Sequence, residues 1–171
     1  HYGSHGAGYK HFLYQTLLAR LKREGIVLAA VSRNDPEVAL GPFKTGRMVL
    51  KEQDFVAIVA SYNAKSVQVA ALADQLNLGL DAFVFVDDNE VELTEMSLKL
   101  PQVRCERFIP RDDALPALLA RVSAHFDGRT ITAEDREKTE MYRRRLAGMV
   151  PSDAQGADLR AFLESLEMSL V

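Results

Sequence analysis

Two short apolar runs, each stopped by polar residues, constrain the fold of this chain most strongly. Ile26–Val31 and Phe83–Val86 are continuously apolar, so both faces of each run would have to be covered, as in the central strands of a parallel sheet. Ser32–Pro36 ends the first run and Asp87–Asn89 ends the second. Segments with helical spacing lie between and around them. The alternation predicts βαβ units and an α/β fold with a parallel sheet flanked by helices.

The remaining pattern predicts the other elements and their grouping. Two weaker strands are predicted at Arg47–Leu50 and Val103–Ile109. The predicted helices are Lys10–Glu24, a short helix that begins at Pro36, Asn63–Leu76, Glu90–Lys99, Ala114–Phe126, Ala133–Arg145 and Ala157–Leu166. We expect residues 1–9 to be a flexible start, residues 10–110 to form the α/β core, and residues 111–171 to form a solvated helical annex that leads into a following domain.

The composition excludes several classes of protein. The chain has 171 residues, of which 47% are hydrophobic and 26% are charged, as in globular proteins. Its formal net charge of −3 disfavours binding to nucleic acid as a polyelectrolyte. The lone cysteine, Cys105, cannot form an internal disulfide, and no apolar run reaches the about 20 residues of a membrane span. These features predict a cytoplasmic protein that binds neither nucleic acid nor membranes.

Three polar segments follow predicted strands or begin predicted helices, and they form the candidate site. Ligands of open α/β sheets bind at the carboxyl ends of the strands. Ser32 and Asn34 could present a hydroxyl and backbone N–H groups to a phosphate oxygen, or they could belong to a loop that only caps the next helix. Lys65 in the first turn of its helix could neutralise a phosphoryl group, or it could be a solvated lysine.

The adjacent carboxylates of Asp87 and Asp88 are the most informative pair. At a separation of about 5 Å and an effective dielectric of about 20, two unit charges repel by about 3 kcal/mol. A hard cation such as Mg²⁺, held by one or two carboxylates with water and substrate phosphate, relieves that repulsion. In the alternative interpretation, Asp87 caps the following helix and Asp88 points into water. The first interpretation predicts a magnesium site at the same edge of the sheet as Ser32 and Lys65.

These residues resemble the motifs of a known superfamily. Ser32 after an apolar strand, Lys65 at a helix start and the segment FVFVDDN (residues 83–89) look like the second, third and fourth motifs of the haloacid-dehalogenase superfamily. The similarity extends from about Gly8 to Met168. Four segments are similar to its FkbH-like subfamily of polyketide and related natural-product pathways: VSRNDPEVAL (31–40), KEQDF (51–55), LNLGLDAFVFVDDNEVE (76–92) and ITAEDREKTEMYRRR (131–145).

The resemblance implies a Rossmann-like core, a Mg²⁺ site and chemistry on a phosphorylated three-carbon donor, a bisphosphoglycerate-like small molecule. That chemistry would be dephosphorylation coupled to loading a glyceryl unit onto an acyl carrier protein. In family terms, Ser32 and Asn34 would hold the phosphoryl oxygens, and Lys65 would neutralise them and orient the nucleophile. Asp87 would be a metal ligand, with Asp88 as a second ligand or as its support.

One family feature is absent from this sequence. The superfamily nucleophile is the first Asp of a DxD motif on the first strand, and no Asp in this chain is followed two places later by another Asp. That strand would lie centrally, between the strands at Ile26 and Phe83. Without it, we expect either two rows of unpaired backbone groups or direct pairing of those strands. The segment LESLEMSLV (163–171) resembles the lead-in to a following acyltransferase-like domain, so a larger protein and an inactive fragment are predicted.

Two other functions remain open. A non-catalytic interaction module would use the run Arg143–Arg145 to dock an acidic carrier protein or a neighbouring domain. A receiver-like phospho-acceptor would use Asp87 or Asp88. Receivers place their acid pair near the first strand, however, whereas two strands are predicted ahead of this pair.

Overall fold

Strands and helices alternate in the computed structural model, which describes residues 8–148. The strands are β1 (Leu28–Ser32), β2 (Phe55–Ala60), β3 (Val84–Asp87) and β4 (Arg104–Arg107). The helices are α1 (Tyr9–Arg23), α2 (Pro36–Lys44), α3 (Lys65–Leu76), α4 (Glu90–Lys99), α5 (Leu115–Ala124) and α6 (Lys138–Gly148). The predicted α/β fold, with parallel strands flanked by helices, is confirmed.

The four strands form two separate pairs. β1 pairs in parallel with β2, and β3 pairs in parallel with β4. Within residues 8–148, no ladder joins β1 to β3. Of the two outcomes expected without a first strand, the structure therefore shows the open one. We call the space between β1 and β3 the interstrand cleft.

The open cleft changes the burial of the strands beside it. β2 is buried at every position but Ile58, whereas Ala29 in β1 is exposed and Val31 is only half-buried. In β3, Val84 and Val86 are also only half-buried. The expectation that both apolar runs are covered on both faces is therefore wrong. Within residues 8–148, β1 and β3 each have a neighbouring strand on one side only, so side chains beside the cleft stay accessible.

Helices α5 and α6, which follow Pro110, pack on the same core as the earlier elements. Leu118 and Val122 of α5 share a cluster with Leu21 of α1. Leu146 of α6 is fully buried against β2 and Leu72 of α3. The inner faces of these helices are therefore not solvated, although the division between core and annex at residue 110 stays a prediction.

Most element predictions hold, and one strand was assigned to the wrong segment. Helix α4 has the predicted bounds, and Gly25 takes a φ of +92° just beyond the end of α1, as expected of a glycine after a helix. Arg47–Leu50 is not a strand, because the N–H groups of Val49 and Leu50 donate to Gln15 Oε1 at 3.0 and 3.2 Å instead of to a neighbouring strand. The missed strand is β2.

The last described helix begins with a 3₁₀ turn, Glu134–Glu137, that leads into α6. Thr132, two residues before this turn, pairs with Asp135 within it. Asp135 Oδ2 accepts bonds from the Thr132 N–H at 2.7 Å and from its hydroxyl at 3.1 Å. Lys138 Nζ lies 2.6 Å from Asp135 Oδ1. The ion pair with Lys138 and these bonds from Thr132 lower the pKa of Asp135 from 3.8 to about 2.

This lowered pKa predicts a specific acid sensitivity. Asp135 stabilises the fold while it is charged, and that stabilisation is lost as the pH falls from about 4 towards about 2. We expect Asp135→Asn to be less stable than wild type near neutral pH and to lose less stability over this acid window. Urea unfolding at a series of pH values measures both effects. Asp127→Asn, at an exposed position, controls for the change in net charge, and equal acid slopes for wild type and Asp135→Asn would contradict the prediction.

Some predicted segments lie outside the described residues. These are residues 1–7 of the flexible start, the helix Ala157–Leu166 and the lead-in at 163–171. Between Gly8 and Gly148, no helix is both long and apolar enough to cross a membrane.

Candidate active site

The carboxyl ends of the strands meet at one edge of the fold. Ser32 is the last residue of β1, and its carbonyl accepts a bond from the N–H of Ser61, just after β2. Lys65 is the first residue of α3, and Asp87 is the last residue of β3. Since the side chains of Lys65 and Asp87 are in contact, the carboxyl ends of β2 and β3 lie on the same side of the molecule.

An ion pair between Lys65 and Asp87 connects the carboxyl end of the β1–β2 pair to that of the β3–β4 pair. Lys65 Nζ lies 2.5 Å from Asp87 Oδ2, and the two side chains are 16% and 8% exposed. The other oxygen, Oδ1, accepts a bond from the N–H of Asn89 at 2.9 Å. A lysine in the first turn of a helix is disfavoured by the helix dipole, and the Asp87 carboxylate offsets that cost. Lys65 is therefore held at the site and is not a freely solvated lysine.

Asp88 and Asn89 have different roles from Asp87. Asn89 Oδ1 accepts a bond from the N–H of Val91 at 2.9 Å and so caps α4. The alternative interpretation, in which Asp87 caps this helix, is thus wrong. Its second part is confirmed, because Asp88 is exposed. Asp88 also affects the pKa of His11. Burial lowers this pKa below its ordinary value, and the negative charge of Asp88 partly offsets that effect by raising it.

The segment after β1 presents its polar groups without capping α2. Asn34 Nδ2 donates to Ser32 Oγ at 3.3 Å. Asp35 occupies the N-cap position of α2, but its side chain makes no capping bond. Its Oδ1 accepts a bond from the hydroxyl of Tyr62 at 2.9 Å, which raises the pKa of Tyr62. The interpretation of this loop as only a helix cap is therefore not supported for Asp35.

Gln68 connects the Ser32 loop to the helix that carries Lys65. Its side-chain amide donates to the carbonyl oxygens of Ser32 at 3.2 Å and Asn63 at 2.9 Å, and the residue is only 2% exposed. Gln68 is not among the residues of the predicted site. The available signal was a polar side chain on the apolar face of α3, between buried Ser66 and Val69, because a buried amide has to find hydrogen-bond partners.

The structure thus brings Lys65 and Asp87 into contact and Ser32 and Asn34 into contact. The two pairs lie at the same edge, linked through Gln68, without a direct side-chain bond between them in the described part of the chain. Within residues 8–148, no three or more His, Cys, Asp or Glu side chains group to hold a metal. Asp87 and Asp88 are the carboxylates that the strand end offers to a cation.

Two ion pairs surround the edge. Arg33 Nη1 lies 3.3 Å from Glu92 Oε1, and Arg107 Nη1 lies 3.2 Å from Glu90 Oε2. Both link the end of a strand to the first turn of α4. The arginines are about half exposed, with 51% and 48% of their side chains accessible, so these ion pairs add little stability. Their guanidinium groups would still lie close to an anion bound at this edge.

The run Arg143–Arg145 does not form one free basic patch. Arg143 Nη1 donates to the carbonyl of Phe55 at 2.8 Å, at the start of β2. Arg144 Nε lies 3.3 Å from Glu140 one turn earlier. The docking hypothesis stays a prediction, and Arg143 has a structural partner within this chain.

The comparisons with known proteins concern the fold. No protein-family model matches the chain, and no curated protein matches it. A similar solved structure is the N-terminal part of the protein BF1531 from Bacteroides fragilis, which contains a phosphatase domain and was crystallised in complex with Mg. The two share 29% sequence identity, with a TM-score of 0.64 over 68% of this chain. The chain shares the fold of this neighbour. It spans 31% of the neighbour's length.

Proposed function

We propose that this chain is part of a Mg²⁺-dependent phosphatase of the haloacid-dehalogenase type. The observation that carries the proposal is the Lys65–Asp87 ion pair at the carboxyl edge of a parallel α/β fold. In the proposed assignment, Lys65 and Asp87 would belong to the third and fourth family motifs. The shared fold with a protein that contains a phosphatase domain and binds Mg supports the same activity.

The residues of the edge fit the binding of a phosphoryl group. Ser32 Oγ accepts a bond from Asn34, so its own proton is free to be donated to a phosphoryl oxygen. The Lys65 ammonium has three donors and gives one to Asp87. Charge-assisted bonds of this kind are shorter and stronger than neutral ones. Ser32, Asn34 and Lys65 would therefore hold and neutralise the phosphoryl oxygens.

The carboxylates fit a hard cation. Asp87 and Asp88 supply adjacent oxygen donors, and Mg²⁺ in proteins commonly uses one or two carboxylates and keeps several waters. Asp88 is exposed, while both oxygens of Asp87 already accept bonds from Lys65 and Asn89. Each of these oxygens keeps a second lone pair, so Asp87 could bind the ion while it accepts these bonds. The bound cation would neutralise charge on the phosphoryl oxygens.

The chemical step needs a nucleophile that this sequence does not contain. The haloacid-dehalogenase reaction attacks phosphorus with an Asp carboxylate from a DxD strand, and this chain has no DxD. The finer assignment we propose is the FkbH-like one. In it, the substrate is a phosphorylated three-carbon donor, and a glyceryl unit is loaded onto an acyl carrier protein in polyketide-type biosynthesis.

Phosphate binding tests the proposed site directly. We expect inorganic phosphate with Mg²⁺ to shift the amide resonances of the 171-residue chain around Lys65 and Ser32. Lys65→Met should weaken this binding by about tenfold or more, because it removes a charge-assisted bond worth at least about 1.5 kcal/mol. Lys99→Met, at an exposed position of α4, is the matched control. Equal affinities of the two variants would refute the site.

A second expected result concerns turnover. With Mg²⁺ and p-nitrophenyl phosphate, the chain should release no burst of nitrophenol and show no steady-state rate above background, because no DxD carboxylate is available to form a phospho-aspartyl intermediate. Stopped-flow absorbance measures the burst. A burst close to one equivalent per chain would show that another residue acts as the nucleophile.

A further inference from the structure

Two loops at the carboxyl edge carry an exposed pair of side chains outside the set proposed to hold the phosphoryl group. Asp35 lies three residues after Ser32, and Tyr62 lies three residues ahead of Lys65. The Tyr62 hydroxyl donates to Asp35 Oδ1 at 2.9 Å. The bond therefore joins the loop after β1 to the loop after β2, and these are the loops that present Ser32 and lead into Lys65.

The backbone around Tyr62 is held in place, although the residue is 70% exposed. The N–H of Ser61 donates to the Ser32 carbonyl at 3.0 Å, and the N–H of Asn63 donates to Ser61 Oγ at 3.1 Å. The buried amide of Gln68 donates to the Asn63 carbonyl at 2.9 Å. Tyr62 is therefore an exposed aromatic side chain on a fixed backbone, an arrangement that lowers the entropy cost of binding a ligand.

The Asp35 carboxylate is oriented for a partner outside its own helix. A side chain at an N-cap position usually accepts a bond from the first turn of its helix, but Asp35 makes no such bond with α2. Between Gly8 and Gly148, no residue donates a hydrogen bond to Asp35 Oδ2 or forms an ion pair with it. An ionised carboxylate is an acceptor only. Since Asp35 is exposed, Oδ2 is open to a hydrogen-bond donor of a ligand.

The chemistry of the pair favours a hydroxyl group as this donor. A hydroxyl donates to a carboxylate in a charge-assisted bond, whereas an anionic group at the same position would be repelled by Asp35. A purely aliphatic chain would contact the Tyr62 ring and leave Asp35 without a new bond. We infer that Asp35 and Tyr62 bind a hydroxyl group on the organic part of the phosphomonoester and so select hydroxylated carbon chains. This inference rests on the proposed function, because the phosphoryl group is taken to bind at Ser32 and Lys65.

Two phosphomonoesters with chains of equal length test the inference. Glycerol 3-phosphate carries hydroxyl groups on its carbon chain, and propyl phosphate carries none. With Mg²⁺, we expect the 171-residue chain to bind glycerol 3-phosphate about fivefold more tightly, as expected of one additional bond to a charged group that is exposed to solvent. Titrations followed by the amide resonances of the chain measure both dissociation constants. Equal affinities for the two esters would overturn the inference.

The variants assign the preference to the pair. Asp35→Ala removes the acceptor and should bring the ratio of the two affinities to about one, and α2 should be retained because Asp35 makes no capping bond. Tyr62→Phe removes only the hydroxyl that orients Asp35 and should also lower the ratio. Glu37→Ala, at an exposed position in the first turn of α2, removes an equal charge and should leave the ratio unchanged. An unchanged ratio in Asp35→Ala or in Tyr62→Phe, or an equal fall in Glu37→Ala, would contradict the assignment.

Inorganic phosphate distinguishes a failure of this inference from a failure of the proposed function. If the chain binds inorganic phosphate with Mg²⁺ but binds the two esters equally, the phosphate site stands and the hydroxyl subsite is wrong. If neither inorganic phosphate nor either ester binds, the phosphatase proposal fails, and the hydroxyl subsite fails with it.

Discussion

A chain extended ahead of His1 by an apolar strand that ends in Asp-x-Asp is expected to hydrolyse phosphomonoesters, whereas no turnover is expected of the 171-residue chain. The added strand would pair with the free edges of β1 and β3. Its carboxyl end would then lie at the edge that holds Lys65 and Asp87. The first carboxylate of the motif would supply the missing nucleophile. With Mg²⁺, we expect a rate at least about a hundredfold above that of the unextended chain, a gain in the range that one positioned catalytic group provides.

The controls separate the nucleophile from the scaffold. A strand with Asn in place of the first Asp should fold in the same way and give no turnover. Lys65→Met in the extended chain should lose most of the activity, because the ammonium at the edge no longer neutralises the phosphoryl group. Phosphate release under single-turnover conditions measures each rate. An extended chain that folds cooperatively, binds phosphate and Mg²⁺, and still shows no turnover would contradict the phosphatase assignment while leaving the fold unaffected.

The contact between Lys65 and Asp87 was predictable because it follows from topology. Asp87 is the last residue of β3 and Lys65 begins a helix that follows a strand, and the carboxyl ends of parallel strands share an edge of the sheet. Gln68 and the bond between Tyr62 and Asp35 were not predictable in this way. Each depends on how closely two loops approach, and residues 27 positions apart in sequence, like Tyr62 and Asp35, give no periodic signal.

The strand assignments show where apolar patterns are insufficient. Met48–Leu50, in the predicted strand Arg47–Leu50, and Phe55–Ala60 are both short apolar segments, and only the second forms a strand. Its six residues are long enough to pair with all of β1, whereas the first segment is held by Gln15, a side chain from a helix more than 30 positions earlier. The interstrand cleft is another case in which the apolar pattern is insufficient. A sequence can indicate that a strand is needed, but only the structure shows that the facing edges of β1 and β3 are accessible.

Leu146→Ala is expected to destabilise the fold by about 2–5 kcal/mol, the range for a fully buried leucine. Leu146 has no exposed surface and packs with Val56 and Leu76, so α6 completes the core over β2 and α3. Met141→Ala is the matched control, since Met141 lies on the same helix and is 56% exposed, and it should cost less than about 0.5 kcal/mol. Urea unfolding of both variants measures the two free energies. If the two substitutions cost the same, α6 is a peripheral helix that the α/β core does not need. If Leu146→Ala alone is severe, the core includes residues well beyond Pro110, and any shortened chain meant to retain the phosphate-binding edge has to keep α6.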